Sequence, residues 1–258
     1  MGVLNVTPDS FSDGGSFLEP GAALAHAQRM AADGADLIDV GGESTRPGAE
    51  PVSLDEELGR VMPVLERLAA GGGPPLSIDT SKSRVAEAAT QAGVMFVNDV
   101  TALRGDPEMA GVVAESGAEL CLMHMKGEPR TMQDAPRYDD LVSEVKGFLE
   151  ERLAFAVREG IAEERVWLDP GIGFGKALEH NLELLRRLGE VVALGRPVLV
   201  GVSRKRFIGA LTGRPERQRE AGSVAANVIA FERGAHMFRV HDVAANRDAL
   251  AVAAGTLD

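Results

Sequence analysis

The chain has 258 residues and a formal net charge of −12, with 45% hydrophobic and 26% charged residues. This length allows one large α/β domain or two small ones, and the composition supports a sizeable core. A single cysteine excludes a disulfide framework and a cysteine-based zinc site. The acidic balance argues against a general affinity for nucleic acid or an anionic membrane. No apolar run approaches the roughly 20 residues of a membrane helix, and the first residues lack a signal-peptide pattern. We therefore expect a cytoplasmic protein.

Eight short apolar segments recur along the chain, each about as long as a buried parallel strand. They comprise residues 3–6, 36–40, 76–79, 94–98, 119–123, 166–169, 197–201 and 236–240. Amphipathic segments with helical spacing lie between them, at residues 22–32, 54–68, 84–92, 141–157, 178–188 and 223–232. The mean repeat of about 33 residues is the size of one βα unit. We predict a single domain over residues 1–258, a (β/α)8 TIM barrel with its active site at the carboxyl ends of the strands.

A doubly wound nucleotide-binding sheet is the competing fold, but its glycine-rich turn is missing. The segment after the first predicted strand reads Thr7-Pro8-Asp9-Ser10. Residues 169–176 look like a phosphate loop, yet Pro170 stands where the Walker motif needs glycine, and no hydroxyl residue follows Lys176. The sequence also contains no paired-histidine zinc motif. The missing glycine-rich turn favours the barrel over the doubly wound sheet. The missing Walker and paired-histidine patterns argue against the common nucleotide and zinc sites.

Polar side chains end most of the predicted strands, which is where a barrel gathers its chemistry. They are Asn5, Asp39, Asp79, Asn98, His124, Asp169, Ser203 with Lys205, and Arg239 with His241. Helix capping accounts for some of these positions, but it explains less well why so many strand ends carry an acid or an amide. Four of the five lysines (82, 126, 176 and 205) also follow predicted strands, in a chain whose other cations are arginines. Either chance or a need for a compact ammonium explains that distribution.

Together these motifs resemble the dihydropteroate synthases, the pterin-binding barrel enzymes of folate synthesis. The matching segments follow the family order from the first strand to the eighth: residues 1–14, 39–48, 77–82, 98–99, 122–127, 168–176, 201–209 and 239–243. They span essentially the whole chain. One departure from the family pattern is at the start. Family members usually carry a short segment before the first strand, whereas this sequence begins at that strand, and the difference bears on the floor of the barrel.

The resemblance implies a transferase that condenses 6-hydroxymethyl-7,8-dihydropterin diphosphate with p-aminobenzoate to give 7,8-dihydropteroate and pyrophosphate. It implies cleavage of the C–O bond before, or nearly before, attack by the amine. It also implies Mg²⁺ as the cofactor, with Asn5 as a ligand through its amide oxygen. Small molecules are the expected partners, together with a second copy of the chain in a homodimer.

The resemblance also assigns residues to the two substrates. A carboxylate accepts two adjacent N–H groups of a pterin edge, and an amide suits its mixed donors and acceptors. The implied substrate-binding residues are Thr45, Arg46, Asp79, Asn98, Met123, Asp169, Phe174, Gly201, Ser203, Lys205, Arg239 and His241. Those implied to be catalytic are Asp79, Asp169, Lys205, Arg239 and His241. Asp13, Phe11 and Pro47 are lesser candidates, and for Asp39 a supporting and a purely structural role are equally compatible with the sequence.

Three other functions compete with the synthase. A pterin-binding methyltransferase that works with a corrinoid partner would share the pterin contacts, but it needs no Arg239–His241 pair. A catalytically silent pterin-binding paralogue is a second alternative, which the intact loops at residues 7–15 and 41–48 disfavour. A sugar-phosphate barrel would not need the acids and amide expected at the pterin edge. Of these functions, the synthase agrees best with the motifs.

Overall fold

The computed structural model describes residues 1–7, 20–45, 48–127 and 131–256. In those residues, parallel strands alternate with helices along the chain. The strands are β1 (Gly2–Asn5), β2 (Ile38–Gly41), β3 (Leu76–Asp79), β4 (Phe96–Asp99), β5 (Glu119–Met123), β6 (Val166–Asp169), β7 (Leu199–Val200) and β8 (Met237–Phe238). The helices are α1 (Pro20–Ala32), α2 (Leu54–Ala70), α3 (Ser83–Gln91), α4 (Met109–Ser116), α5 (Leu141–Arg158), α6 (Leu178–Arg186), α7 (Leu188–Val192), α8 (Arg206–Thr212), α9 (Glu220–Glu232) and α10 (Val243–Ala254).

The strands close into a barrel. Strands β1 to β6 form one parallel sheet in sequence order, and β7 pairs with β8. Leu168 of β6 forms a parallel bridge with Val198, just before β7. Val240, just after β8, bridges Gly2 of β1, and the Val3 N–H donates to the Val240 carbonyl at 2.9 Å. These bridges join the last strand to the first, so the predicted (β/α)8 barrel is confirmed.

The sequence did not predict every helix. The helical ranges read from the sequence did not include α4, α8 or α10. The predicted helix at 178–188 corresponds to α6, and α7 begins at its last residue and continues to Val192. Helices α4 and α10 have no acidic residue in the first turn and no side-chain N-cap. Those features are the usual sequence signals of a helix start. Tertiary packing therefore has a larger part in defining these helices than local signals do.

The barrel interior changes from apolar to polar along its axis. Alternate residues of a strand face the same side of the sheet. One buried cluster near the amino ends of the strands contains Met1, Leu37, Phe96, Cys121 and Leu199, with Trp167 and Met237 packed against it. Two positions further along those strands stand Asp39, Asn98, Met123, Asp169, Gly201 and Arg239. The same strand faces that build the apolar floor therefore carry polar groups at the carboxyl ends.

The opposite strand faces pack against the helices and form the main core. Leu4, Ile78 and Leu168 are fully buried on the strands, and Leu65 of α2 and Leu149 of α5 cover them from outside in the same cluster. Burying these side chains orients each βα unit and holds the strand ends in place. In the described ranges, no helix is long and apolar enough to span a bilayer.

Candidate active site

The guanidinium of Arg239, just after β8, bonds to carboxylates on two other strands. Its Nε donates to Asp39 Oδ2 at 2.6 Å, and its Nη2 donates to Asp79 Oδ2 at 2.7 Å. Asp39 is fully buried, and its other oxygen accepts from the Ser77 hydroxyl at 2.5 Å. Burial disfavours the charge on Arg239, but the two carboxylates outweigh it and raise the pKa of Arg239. Its Nη1 has no hydrogen-bond partner among the residues that the structure describes.

Asp79, the last residue of β3, has an unusual protonation equilibrium. Burial is the largest cause and raises the pKa of its carboxyl to about 7. The negative charges of Asp39, Glu57 and Asp99 add to this shift, and Arg239 opposes it. Burial and the neighbouring acids therefore favour the neutral carboxyl of Asp79, while the ion pair with Arg239 favours the charged form.

Asp169, the last residue of β6, presents one carboxylate oxygen to the site. Its Oδ1 accepts the Gly171 N–H at 2.7 Å, and its Oδ2 has no hydrogen-bond partner in the described part of the chain. Burial raises the pKa of Asp169, while Lys205, the Gly171 N–H, Lys176 and Arg239 oppose the rise. Asp169 and Arg239 therefore lie in one electrostatic environment at one end of the barrel.

Lys205, just before α8, approaches the site from the seventh strand. Its ammonium lies 4.4 Å from the centre of the Phe174 ring. A Cβ atom added to Gly201 would be 3.8 Å from Lys205 Nζ and 3.9 Å from Arg239 Cβ, so Gly201 lies beside both residues. Burial lowers the pKa of Lys205 to about 8, with Asp169 opposing and Arg239 adding to the shift.

Two amide side chains flank Asp79. Asn98 pairs with Asp79 in the β3–β4 register, and its Nδ2 is 3.5 Å from Asp39 Oδ2. On the other side, a Cβ atom added to Gly41 would lie 3.8 Å from both Asn5 Oδ1 and Asp79 Oδ2. Asn5 Oδ1 and Asp79 Oδ2 therefore lie near each other beside Gly41. The Asp79 oxygen is bonded to Arg239, whereas the amide oxygen of Asn5 is a hard donor of the kind that Mg²⁺ prefers.

That donor set suits a metal held mainly by substrate and water. The described residues contain no group of three or more His, Cys, Asp and Glu side chains that could hold a metal ion. Mg²⁺ usually keeps several waters and binds one or two protein oxygens together with substrate phosphates. The amide oxygen of Asn5 fits that mode of binding, but a dedicated protein cage for the metal does not fit these residues.

An apolar wall lies beside Asp169. Met123 pairs with Asp169 in the β5–β6 register and is buried. Met123 belongs to a buried cluster with Val100, Met125 and Met132, and Phe174 packs against this cluster. Two of the predicted substrate-binding residues, Met123 and Phe174, therefore lie in one apolar cluster beside Asp169.

Ser203 orients His241 at the end of the eighth strand. The backbone N–H of His241 donates to Ser203 Oγ at 3.1 Å, and His241 Nδ1 lies 2.9 Å from the same oxygen. When the serine hydroxyl donates its single proton to Nδ1, the ring proton is on Nε2, which becomes a donor.

Of the arginines that flank Lys205, Arg204 pairs with Asp242 and Arg206 is exposed. At least one of the arginines that flank Lys205 is therefore a surface residue.

The remaining predicted residues lie on the two long loops. Thr45 is half-buried at the end of the described range 20–45. Arg46 and Pro47, like Phe11 and Asp13, lie outside the described residues. Their roles stay predictions.

One ionic cluster near the site was not predicted. Lys82, after β3, donates to Glu57 Oε2 at 2.6 Å and also to Glu43. Glu43 Oε1 in turn accepts the Val52 N–H at 3.2 Å, which ties together the two ends of the β2–α2 loop. The position of Lys82 directly after a predicted strand was the available signal for this cluster.

Comparison with known proteins places this geometry in a family. A family model described as "Pterin binding enzyme" matches residues 1–241. The dihydropteroate synthase of Escherichia coli (strain K12) is 49% identical over 257 residues, which cover 100% of this chain and 91% of that relative. This chain belongs to the dihydropteroate synthase family. It is therefore a pterin-binding transferase of folate biosynthesis.

Solved dihydropteroate synthases share its fold. The Yersinia pestis enzyme in a sulfonamide drug complex has a TM-score of 0.95 and 48% identity, covering 99% of this chain and 93% of that one. The Xanthomonas albilineans enzyme with 4-aminobenzoic acid has a TM-score of 0.94 and 53% identity, covering 99% and 92%. The family resemblance expected from the motifs is thus confirmed along the length of the chain.

Proposed function

We propose that the carboxyl-end cluster of this dihydropteroate synthase binds 6-hydroxymethyl-7,8-dihydropterin diphosphate and p-aminobenzoate and joins them into 7,8-dihydropteroate. One observation carries the assignment: the hydrogen bond of 2.7 Å from Arg239 to Asp79 brings a cation of the eighth strand and an acid of the third into one site. Asp169 and Lys205 lie in the same electrostatic environment. The related Xanthomonas albilineans enzyme, solved with 4-aminobenzoic acid, supports the second substrate.

The pterin ring lies between the apolar wall and the polar strand ends in this proposal. Asp169 Oδ2 accepts the adjacent N–H groups of the pyrimidinone edge, since Oδ1 is already held by the Gly171 N–H. Asn98 supplies a donor and an acceptor, and Lys205 donates to the ring carbonyl and ring nitrogen. Asp79 faces the dihydro-ring. Met123, Phe174 and Gly201 line the flat faces.

The diphosphate is held by donors at the end of the eighth strand. Arg239 offers Nη1, which has no partner in the described residues, while its other nitrogens stay bound to carboxylates. His241 offers Nε2, and Arg46 adds a forked contact. Asn5 would hold Mg²⁺ through its amide oxygen, and the bound ion would supply further neutralisation of the charge of the leaving group. Thr45 and Ser203 line the p-aminobenzoate side.

The reaction proceeds by cleavage of the C–O bond at the pterin methylene, with both bonding electrons leaving on pyrophosphate. Arg239 and His241 stabilise the charge that develops on the leaving group. Ring nitrogen donation and the nearby acids Asp79 and Asp169 stabilise the cation that remains. The neutral aniline nitrogen then attacks this carbon and loses one proton, so no strong base is required.

A coupled assay for pyrophosphate release tests the function. We expect release in the presence of both substrates and its stimulation by Mg²⁺. A protein that binds the pterin but releases no pyrophosphate would be a silent paralogue. Under presteady-state conditions, release from the pterin substrate alone is expected, and an absolute requirement for p-aminobenzoate would favour direct displacement.

Two substitutions separate the pterin contacts from the diphosphate contacts. We expect Asp169→Asn to weaken binding of the pterin with or without its diphosphate by about 1.5–3 kcal/mol, because a charge-assisted pair is lost. His241→Ala should weaken only the diphosphate form. Calorimetric titration of both ligands measures this, and equal losses for both in the His241 variant would contradict its assignment.

We also propose a homodimer formed through α8, α9 and α10. These neighbouring helices carry large apolar side chains at the surface: Leu211 is 57% exposed, Ile229 40% and Val252 71%. Light scattering after size-exclusion chromatography measures the mass. Ile229→Glu should then yield the monomer, and a monomeric wild-type protein would contradict the proposal.

The cellular location that we propose is the cytoplasm. The single cysteine, Cys121, is buried and forms no disulfide, in agreement with a reducing compartment. Fractionation of cells that express the chain tests this, and recovery in the membrane or secreted fraction would contradict it.

A further inference from the structure

The loop between β6 and α6 is held almost entirely by side chains. All five carbonyls of residues 171–175 accept a side-chain hydrogen bond. Lys176 Nζ donates to the carbonyls of residues 171 and 174 at 2.9 and 3.0 Å. Gln133 and Tyr138 each donate to one further carbonyl at 2.7 Å, and Lys205 donates to the carbonyl of Ile172. The conformation of this loop therefore depends on a few donors, and one lysine supplies two of the bonds.

Glycines allow this conformation and let the loop backbone approach the backbone that follows β5 closely. Gly171, Gly173 and Gly175 have φ values of +68°, +88° and +60°, which other residues rarely adopt. A Cβ atom on Gly171 would lie 1.8 Å from the His124 carbonyl oxygen, and one on Gly175 would lie 2.4 Å from that of Lys126. The backbones touch, so the loop has no room to shift toward β5.

Lys176 lies in the middle of this loop. Its side chain is buried, and its Nζ contacts His124 Nδ1 at 2.9 Å in addition to the two carbonyls. An ammonium has three N–H donors, and the three nearest acceptors match them; a fourth acceptor, the His124 carbonyl, lies further away at 3.5 Å. The group therefore occupies the place that a bound cation would take among converging carbonyls.

His124 connects that ammonium to the backbone of Asp169. Burial, with the charge of Lys176 adding to it, lowers the pKa of His124 to about 2, so its ring is neutral and Nδ1 accepts. The His124 N–H donates to the Asp169 carbonyl at 2.9 Å. The ring packs edge-on against Phe148 of α5 at 5.0 Å between centres. His124 thus faces Lys176 and α5, although the sequence suggested only that it ends a strand.

We propose that Lys176 is a positioning residue for the pterin: its ammonium, held by His124, fixes the loop that carries Phe174 and directs Asp169 and Lys205 toward the ring. The inference rests on the proposed function, in which Asp169 and Lys205 contact the pterin. Lys176 itself contacts the loop and does not need to touch the substrate.

The charge of Lys176 also acts on Asp169. Three cationic side chains face Asp169: Lys205 from the seventh strand, Arg239 from the eighth strand and Lys176 from the loop that follows Asp169. The titratable groups on the neighbouring fifth strand are the Cys121 thiol, on β5, and the neutral His124 ring, just after it. Burial lowers the pKa of Lys176 well below its usual value, and Asp169 opposes that shift. In the protonated form, Lys176 favours the ionised form of Asp169, so loss of that ammonium should raise the pKa of Asp169 further. Binding that needs the carboxylate would then be lost at a higher pH.

The test compares Lys176→Met with Lys126→Met in the full chain. Lys126 lies in the adjacent loop, but its ammonium is partly exposed and contacts Glu144 at 2.9 Å and the Tyr138 ring at 4.2 Å. The readouts are the Kd of 6-hydroxymethyl-7,8-dihydropterin as a function of pH and the KM of p-aminobenzoate.

We expect Lys176→Met to weaken pterin binding about tenfold or more, because the loop that carries Phe174 loses the donor that holds two of its carbonyls. The acid limb of binding should move to higher pH, while the KM of p-aminobenzoate stays near that of the wild type. Lys126→Met should match the wild type in both readouts. Lys176→Gln, which keeps an amide donor, should recover part of the loss.

Wild-type pterin affinity in Lys176→Met, an equal loss in Lys126→Met, or a joint loss of both ligands would overturn the inference. If Lys176→Met does not fold, wild-type affinity in folded Lys176→Gln would overturn it instead. A wild-type protein that binds no pterin and releases no pyrophosphate would refute the proposed function and this inference together. Normal wild-type activity with an unaffected Lys176 variant would refute the inference alone.

Discussion

At the scale of single residues, the fork of Arg239 is the most demanding feature of the site. Its Nε and Nη2 bond to carboxylates on two strands, at 2.6 and 2.7 Å. A lysine is a point charge and cannot reproduce that planar geometry. We therefore expect Arg239→Lys to leave a buried carboxylate poorly paired and to lower the free energy of unfolding by about 1–3 kcal/mol. Urea denaturation measures the loss. Arg206→Lys, at an exposed position, is the matched control, and equal effects of the two changes would contradict the prediction.

Lys205 gives a second prediction at this scale. Burial lowers its pKa to about 8, with Asp169 opposing. Below that pH the ammonium is present, and above it the charge is lost, so pterin binding should weaken as the pH rises. If binding needs the ammonium, the loss approaches about tenfold per pH unit above the pKa. Calorimetric titration of the pterin at a series of pH values across this range measures this alkaline limb of the binding profile. Lys205→Met should remove it and Lys126→Met should retain it, whereas an unchanged limb in Lys205→Met would assign it to another group.

At the scale of elements, the β6–α6 loop depends on glycine for two separable reasons. Gly171 and Gly195 both have positive φ values, +68° and +79°. A Cβ atom added to Gly171 would lie 1.8 Å from the His124 carbonyl oxygen, whereas one added to Gly195 would meet no atom within 4 Å. We expect Gly195→Ala to cost about 1 kcal/mol from backbone strain alone. Gly171→Ala should cost about 1–3 kcal/mol more from overpacking. Thermal and urea unfolding measure both, and equal losses would show that strain is the whole effect.

The boundaries of the strands and helices show how accurately the hydrophobic pattern of the sequence predicted them. The predicted strands at 76–79, 119–123 and 166–169 agree with β3, β5 and β6 to the residue, because each is a short apolar run with clear ends. Strands β7 and β8 form only two-residue ladders, so five-residue runs overestimated them. Helix α4 was missed because its start has neither a capping side chain nor an acidic first turn. Local signals define an element where they exist, and packing defines it elsewhere.

At the scale of the whole molecule, the free energy of unfolding sums pH effects of opposite sign. The pKa of Asp79 is raised to about 7, so its contribution falls as the pH rises from 3.8 toward 7. The pKa of His124 is lowered from 6.5 to about 2, so the unfolded chain takes up the proton first. The contribution of His124 is therefore fully present above pH 6.5 and is lost as the pH falls.

Comparison of the wild type with His124→Gln isolates that contribution, since Asp79 is present in both. The stability advantage of the wild type should shrink by up to about 1.4 kcal/mol per pH unit below pH 6.5. Urea unfolding at a series of pH values measures it. A difference between the two proteins that does not vary with pH would contradict a neutral, buried His124.

The sequence by itself determined the alternation of strands and helices, the barrel and the family, because hydrophobic periodicity and strand-end motifs are local patterns. It also identified Asp169, Arg239 and Lys205 as residues of the site. It did not determine their pairings. That Arg239 bonds to Asp39 and Asp79, or that Lys176 is enclosed by the carbonyls of its own loop, was decided only when the sheet closed. Closure brings Arg239 to Asp39, which lies 200 positions away in the chain. Burial then shifts the protonation of these groups, an effect that depends on distance in space and not on position along the chain.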